Sequence, residues 1–82
     1  MEAENSRVIE VGKIYRHYSG KTYKVLAIAR DSEDRSMLRV VYQSLYDCPI
    51  FGNNAIWVRP YIMFAENVII NGQEKARFAP VS

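Results

Sequence analysis

The sequence has few of the residues that build catalytic and metal centres. It holds one cysteine, one histidine and four glycines in 82 residues. A single cysteine, Cys48, excludes an internal disulfide and is compatible with a reducing cytoplasm. One Cys and one His fall short of a tetrahedral zinc site, and four scattered glycines supply no phosphate-binding loop. No metal and no cofactor are therefore expected.

Long hydrophobic runs are also lacking. The longest, such as Val25 to Ala29, are far too short to span a bilayer. No charged and then apolar leader opens the chain, so a cytoplasmic location is expected. Met1 to Ser6 is polar and lacks periodicity, which predicts a partly disordered segment over residues 1–10 and a single domain over residues 11–82.

No pair of residues has the spacing of a catalytic dyad. His17 is the only histidine, and acid–base work needs a second group held near it. Ser32 and Glu33 are neighbours in a charged loop, and Cys48 has no cation nearby in sequence to lower the pKa of its thiol. The sequence predicts that the protein is not an enzyme.

Charge is distributed unevenly although the net charge is only +2. Residues 11–30 contain five basic residues and no acid, whereas acids collect in the first ten residues and in Asp31 to Asp34. The first hairpin is therefore predicted to be a positive patch. The alternative is that its lysines are solvated side chains that protect a sheet edge.

Six short segments alternate in the way that strands do, and turn signals separate them. Asn71-Gly72 is the strongest of these signals, because both positions of a tight hairpin turn want positive φ. The apolar run Val25 to Ala29 predicts a strand that is buried on both sides or sharply bent. Ile50 and Phe51 are expected to turn inward from the loop that follows the third strand.

Short strands without an amphipathic helix predict an all-β protein. The prediction is a small, strongly bent antiparallel SH3-like barrel of five to six short strands, with one short 3-10 turn between Pro60 and Phe64. An OB-fold is the alternative, but it normally needs longer strands and often a helix.

The segment Ile56 to Pro60 is a strand with two unlike faces. Ile56 and Val58 are predicted to face the core, which leaves Trp57 and Arg59 on the other face. An arginine beside a tryptophan can stack on a base or clamp an anion, or it can simply shield the sheet. This assignment also predicts that Val58→Ala destabilises the protein more than Trp57→Ala does.

Aromatic and basic residues alternate along the first hairpin. Tyr15 and His17 share a face and are expected to be accessible, whereas Tyr42 is expected in the core with its hydroxyl at the rim. Rings that stack on bases, interleaved with cations that follow the backbone, are typical of a single-strand binding platform; packing and solubility are the alternative. The predicted ligand-binding residues are Trp57, Arg59, Tyr15, His17, Arg16, Lys21 and Lys24.

Several blocks of the sequence, in the same order, resemble the bacterial family called domain of unknown function 1653. The blocks are Gly12 to Tyr18, Tyr23 to Arg30, Val40 to Tyr42, Leu45-Tyr46, Trp57 to Pro60, Met63-Phe64 and Arg77-Phe78. The resemblance implies a small SH3-like barrel in a bacterial cytoplasm and implies no established activity. The chain departs from the pattern at Asp31, where a histidine is usual, and in the longer loop from Asp47 to Asn54.

Together these observations predict a non-catalytic binding module. Its expected ligand is an anion such as single-stranded nucleic acid, held on the aromatic and basic face. The alternative is a protein-interaction module that binds a peptide or a second copy of itself through the same aromatic groove. Neither hypothesis involves a membrane or a metal.

Overall fold

The computed structural model describes residues 8–81, which form an antiparallel β structure with one helical turn. The predicted all-β class is confirmed. In chain order the elements are β1 (Ile14–His17), β2 (Thr22–Arg30), β3 (Leu38–Ser44), β4 (Asp47–Cys48), β5 (Gly52–Asn53), β6 (Ile56–Pro60), α1 (Tyr61–Ala65), β7 (Asn67–Ile70), β8 (Gln73–Ala76) and β9 (Phe78–Pro80). Of the segment 1–10 that is predicted to be partly disordered, residues 1–7 lie outside the described residues.

Five of the strands form one sheet in the order β6-β3-β2-β1-β9, and β4–β5 and β7–β8 form two separate hairpins. Among the described strands, neither β6 nor β9 has a second neighbour, so both are edge strands of the sheet. None of the sheets within residues 8–81 is closed, and the SH3-like barrel stays a prediction.

The β7–β8 hairpin turns at Asn71-Gly72, as the sequence predicts. Asn71 has φ 52° and Gly72 has φ 80°, and Ile70 pairs with Gln73 across the turn. Two successive residues with positive φ match the right-handed twist of the flanking strands, which is why this dipeptide closes the hairpin.

The apolar run in β2 contains a β-bulge. The register with β3 shifts between Val25 and Ala27, so Leu26 is an extra residue in the ladder. Val25 is fully buried, whereas Leu26 is exposed. Burial on both sides is therefore wrong for this strand. A bulge breaks the alternation and increases the local twist, and the alternative of a sharply bent strand stays a prediction.

The core lies against one face of the five-stranded sheet, here called the inner face. Phe64 of α1 stacks on Phe78 of β9 with ring centroids 4.0 Å apart, and Tyr15 and Tyr42 meet Phe64 edge-on. The buried hydrophobic residues are Ile9, Tyr15, Val25, Val40, Tyr42, Phe64, Ala65 and Phe78. Ile9, which the sequence analysis assigns to the terminal segment, thus belongs to the core.

The predicted faces of β6 are wrong, and the correct assignment is the reverse. Ile56 and Val58 are 56% and 60% exposed, whereas Trp57 packs against the core. Trp57 pairs with Tyr42, whose side chain is buried on the inner face. Alternation gives two faces but does not tell which one is covered, and here the aliphatic pair lies on the outer face of the sheet.

Three smaller expectations are corrected as well. Ile50 and Phe51 do not turn inward: they form the tip of the β4–β5 hairpin and are 81% and 62% exposed. The turn that follows β6 is α-helical rather than 3-10, with Pro60 at its N-cap. The described strands number nine rather than five or six, since β4, β5 and β9 were not predicted.

Pro80 is tolerated in β9 because that strand lies at the sheet edge.

Candidate anion-binding site

The seven predicted ligand-binding residues do not form one platform. In the sheet register Tyr15, His17, Trp57 and Arg59 lie on the inner face, and Arg16 and Lys24 lie on the outer face. Lys21 lies in the β1–β2 turn. Trp57 and His17 lie on strands that are three apart in the sheet order. The structure therefore divides the predicted site into parts with different surroundings.

Tyr15 and Trp57 have structural contacts that account for them. The prediction that Tyr15 is accessible is wrong, since the residue is 2% exposed and its hydroxyl accepts a hydrogen bond from the Glu10 amide at 3.1 Å. Trp57 donates from Nε1 to Oγ of Ser44 at 2.7 Å, and Ser44 has no exposed surface. A buried hydroxyl needs a hydrogen-bond partner. The Glu10 amide is that partner for Tyr15, and Trp57 is that partner for Ser44, so both side chains stabilise the core.

Arg59 is the partly buried cation of the inner face. Its Nε donates to the Tyr42 hydroxyl at 3.2 Å, and its guanidinium lies 5.6 Å above the Phe78 ring. Among residues 8–81, no carboxylate lies within ion-pair distance of Arg59. The prediction that Tyr42 lies in the core is confirmed, since the residue is 5% exposed; the place of its hydroxyl at the rim stays a prediction.

A pair of tyrosines adjoins Arg59. The hydroxyls of Tyr23 and Tyr46 are 3.0 Å apart, and the Lys21 ammonium lies 4.7 Å from the centre of the Tyr46 ring. Burial raises the pKa of Tyr23, and the hydrogen bond with Tyr46 adds to the effect. Tyr23 therefore keeps its proton and stays a neutral hydrogen-bonding group.

His17 lies between the inner face and an open cleft at the edge of the sheet. Its ring is 4.2 Å from that of Tyr18 and 5.0 Å from that of Phe78, and its Nδ1 is 2.9 Å from Oγ of Ser19. Burial, followed by the charges of Arg59 and Arg77, lowers the pKa of His17. The imidazole is therefore neutral at pH 7, so it can make an aromatic contact but supplies no positive charge.

Arg77 has its charge neutralised within the fold. Nη2 of Arg77 lies 2.7 Å from Oε2 of Glu66, while its Nε is buried without a hydrogen-bond partner. This ion pair is not evident from the sequence, because the two residues are eleven positions apart. The β7–β8 hairpin lies between them and brings them together.

A concave surface at the edge of the sheet, here called the β1–β9 cleft, has a volume of about 290 Å³. It is lined by Arg16, His17, Tyr18, Lys75, Ala76, Ala79, Pro80 and Val81. Two of these residues are cations, none is acidic, and Tyr18 remains 46% exposed at the rim. The predicted residues Arg16 and His17 meet here, and Lys75 is the cation that sequence reasoning missed.

Asp31 orders the loop in which it departs from the family pattern. Its Oδ1 accepts hydrogen bonds from the amides of Glu33 and Asp34, and its Oδ2 forms an ion pair with Arg39 at 3.0 Å. The backbone hydrogen bond from Glu33, together with the one from the Arg39 side chain, lowers the pKa of Asp31. The carboxylate thus holds a turn and the start of β3.

Two kinds of feature are missing from the part of the chain that the structure describes. Residues 8–81 bring no three His, Cys, Asp or Glu side chains together in a group that could hold a metal ion. They also contain no helix with the length and apolar character to cross a membrane.

Comparison with known proteins gives one family and one related structure. The model of a family described as "Protein of unknown function (DUF1653)" matches residues 13–80. A crystal structure of a protein of the same family from Bordetella bronchiseptica superimposes with a TM-score of 0.75 at 29% identity, over 96% of this chain and 92% of that chain. Among curated proteins, none matches the sequence.

Proposed function

Since the chain belongs to the DUF1653 family, whose description names no activity, we propose a function from the chain's own geometry: a non-catalytic binding module that takes single-stranded nucleic acid in the β1–β9 cleft. A bacterial cytoplasm, where such ligands are available, is part of the proposal.

The observation that carries the proposal is the composition of the cleft. Arg16 and Lys75 line it together, and its lining contains no acidic residue. Two cations in a concave surface attract a phosphate backbone, and the attraction is not cancelled by a neighbouring carboxylate. Both side chains are exposed, so both can reach a bound phosphate.

The aromatic part of the cleft supplies the second half of the recognition. Tyr18 is exposed and its ring is backed by that of His17 at 4.2 Å. A ring held from behind offers its free face to a base, and stacking of that kind is tolerant of sequence. The neutral His17 supports the ring and leaves Arg16 and Lys75 as the cations that meet phosphate.

The test is the binding of a short mixed single-stranded oligonucleotide, followed by fluorescence anisotropy at low and moderate salt. We expect affinity that falls steeply with salt, and a further loss of about tenfold in Arg16→Gln, which removes a charged phosphate contact. Arg35→Gln is the matched control, because it removes one exposed arginine from the β2–β3 loop. Equal losses in the two variants, or affinity that salt does not change, would refute the proposal.

A protein-interaction module is the second candidate, and the outer face of β6 favours it. Ile56 and Val58 are exposed on an edge strand that has no neighbour on its free side. An edge strand with apolar side chains is suited to adding a strand from a second copy. Light scattering measures the molar mass in solution and so gives the oligomeric state. A dimer that Val58→Lys converts to a monomer supports this candidate, and a monomeric wild-type protein rules out self-association.

A further inference from the structure

The inner face carries hydrogen-bond donors that the fold does not use. Arg59 donates from Nε to the Tyr42 hydroxyl, and the guanidinium has no carboxylate partner within residues 8–81. From this juxtaposition we infer that Arg59 and Tyr42 form a second ligand site, distinct from the β1–β9 cleft, which binds a carboxylate with an apolar body.

Within residues 8–81, the charge of Arg59 has no carboxylate counterion. Arg59 is partly buried, and burial without a counterion is costly for a guanidinium. The nearby Arg77 shows the usual solution, an ion pair with Glu66 at 2.7 Å. Within residues 8–81, Arg59 instead has a hydrogen bond to a neutral hydroxyl and a contact with an aromatic ring. A bound anion supplies the missing partner.

The charge balance selects a monoanion. Arg77 is neutralised by Glu66, and His17 and Tyr23 are neutral, because burial lowers the pKa of the histidine and raises that of the tyrosine. One uncompensated positive charge therefore remains on the inner face around Phe78. A carboxylate balances this charge, whereas a phosphate dianion would leave an excess negative charge in a partly buried place.

The donors match a carboxylate in number and kind. An arginine that uses Nε still has its terminal N–H groups, and these point along one edge of a planar fork. The Tyr42 hydroxyl accepts from Arg59, so its own hydrogen is left to donate, and no described hydrogen bond uses it. Both residues therefore have donors left over for an added acceptor.

The neighbouring side chains define the rest of the ligand. Trp57 lies two residues before Arg59 on the same face of β6, about 6.6 Å along the strand. Phe51 meets the Trp57 ring edge-on at 5.2 Å and is itself 62% exposed. An apolar group attached to the carboxylate can pack on the rings of Trp57 and Phe51. The exposed ring of Phe51 would then contact the ligand.

The test compares benzoate with its uncharged analogue benzamide at constant ionic strength, by NMR of the Arg59 Nε–Hε group. We expect benzoate to shift this signal saturably, with a dissociation constant on the order of 1 mM for so small a ligand. Benzamide is expected to leave the signal in place. Equal shifts from both compounds, or no saturable shift from benzoate, would overturn the inference.

Matched variants separate this site from the cleft. Tyr42→Phe keeps the core ring and removes only the hydroxyl, so benzoate binding should weaken about tenfold. Arg59→Lys keeps the charge, loses the fork and should weaken binding as well. Tyr18→Phe removes a hydroxyl from the cleft and should leave binding unchanged. Wild-type affinity in both inner-face variants would refute the site, and their oligonucleotide binding shows independently whether the cleft works.

A second pair of probes distinguishes the sources of the carboxylate. N-acetylphenylalanine imitates the end of a polypeptide, and its amide is the uncharged control. Tighter binding of the amino acid than of benzoate assigns the site to a peptide C-terminus, and tighter binding of benzoate assigns it to a small aromatic acid. Equal binding of N-acetylphenylalanine and its amide would count against a carboxylate site.

Discussion

Trp57 and Val58 are neighbours with opposite roles in the fold. Trp57 packs against the core and donates to the buried hydroxyl of Ser44, whereas Val58 is 60% exposed and lies opposite Val41 on the outer face. The unfolding free energy therefore depends on the tryptophan far more than on the valine.

We expect Trp57→Ala to lower the free energy of unfolding by about 2–4 kcal/mol, since it removes a partly buried ring. Val58→Ala should cost less than about 0.5 kcal/mol. Denaturation midpoints measure the difference. Trp57→Phe is the intermediate case, because it leaves Ser44 Oγ without its donor and should cost about 1 kcal/mol or more. A larger loss in Val58→Ala than in Trp57→Ala would contradict the faces described here.

The reason why the sequence misassigned these two residues is physical. An isoleucine–valine pair is more apolar than a tryptophan–arginine pair, so hydropathy places it inside. However, the stem of an arginine can lie over a ring while its charged end stays in contact with polar groups. Arg59 does so over Phe78 and reaches Tyr42. Hydropathy by residue cannot anticipate that arrangement.

At the scale of elements, turn chemistry was the most informative signal. Asn71-Gly72 predicted the β7–β8 hairpin, and the structure has positive φ at both positions. The β4–β5 hairpin was missed because its strands have two residues each and the segment reads as a polar loop. Strands so short carry no alternation, although Gly52 and Asn54 do have the positive φ that turns require.

The β7–β8 turn gives a prediction about backbone strain. Gly72 has φ 80° and open space around its Cβ position, so Gly72→Ala is strained by its backbone alone. We expect a loss of about 1 kcal/mol in the free energy of unfolding. Gly72→Asn should cost less, because asparagine enters the left-handed region more readily. Thermal unfolding of the two variants checks the order, and a loss in Gly72→Asn as large as that in Gly72→Ala would contradict the argument from φ.

The candidate site can be located only from the three-dimensional structure, because its residues are distant in the sequence. Arg16 and His17 were selected from a charge pattern, and they do line the β1–β9 cleft. The sequence alone does not indicate Lys75, because it lies about sixty positions after Arg16 and His17. The β7–β8 hairpin places it next to them in the fold. A local pattern identifies neighbours along a strand, but it does not identify neighbours across a fold.

At the scale of the whole molecule, the last strand completes the core. β9 pairs with β1 in the register His17 to Phe78, and Phe78 is 1% exposed at the centre of the aromatic cluster. Its ring meets those of Phe64, Tyr42, Tyr23 and His17. The remaining strands of the sheet cannot bury these rings without it.

A chain that ends at residue 77 is therefore expected to lose cooperative unfolding and the near-ultraviolet circular dichroism of its packed tyrosines. A chain that ends at residue 80 keeps β9 and should retain both. The comparison isolates three residues, and native-like melting of the shorter chain would show that β9 is dispensable for the core.

The pairing of β1 with β9 also has a kinetic consequence. The strands that meet first in the sequence, β1 and β2, form a local hairpin, but the partner of β1 on its other side is about sixty residues away. Contacts at that separation close a long loop and make folding slow relative to proteins rich in local contacts. On the ribosome, a nascent chain must keep Tyr15 and Tyr42 exposed until Phe78 has left the exit tunnel. Synthesis rather than diffusion then sets the earliest moment at which this protein can hide its aromatic residues from chaperones and proteases.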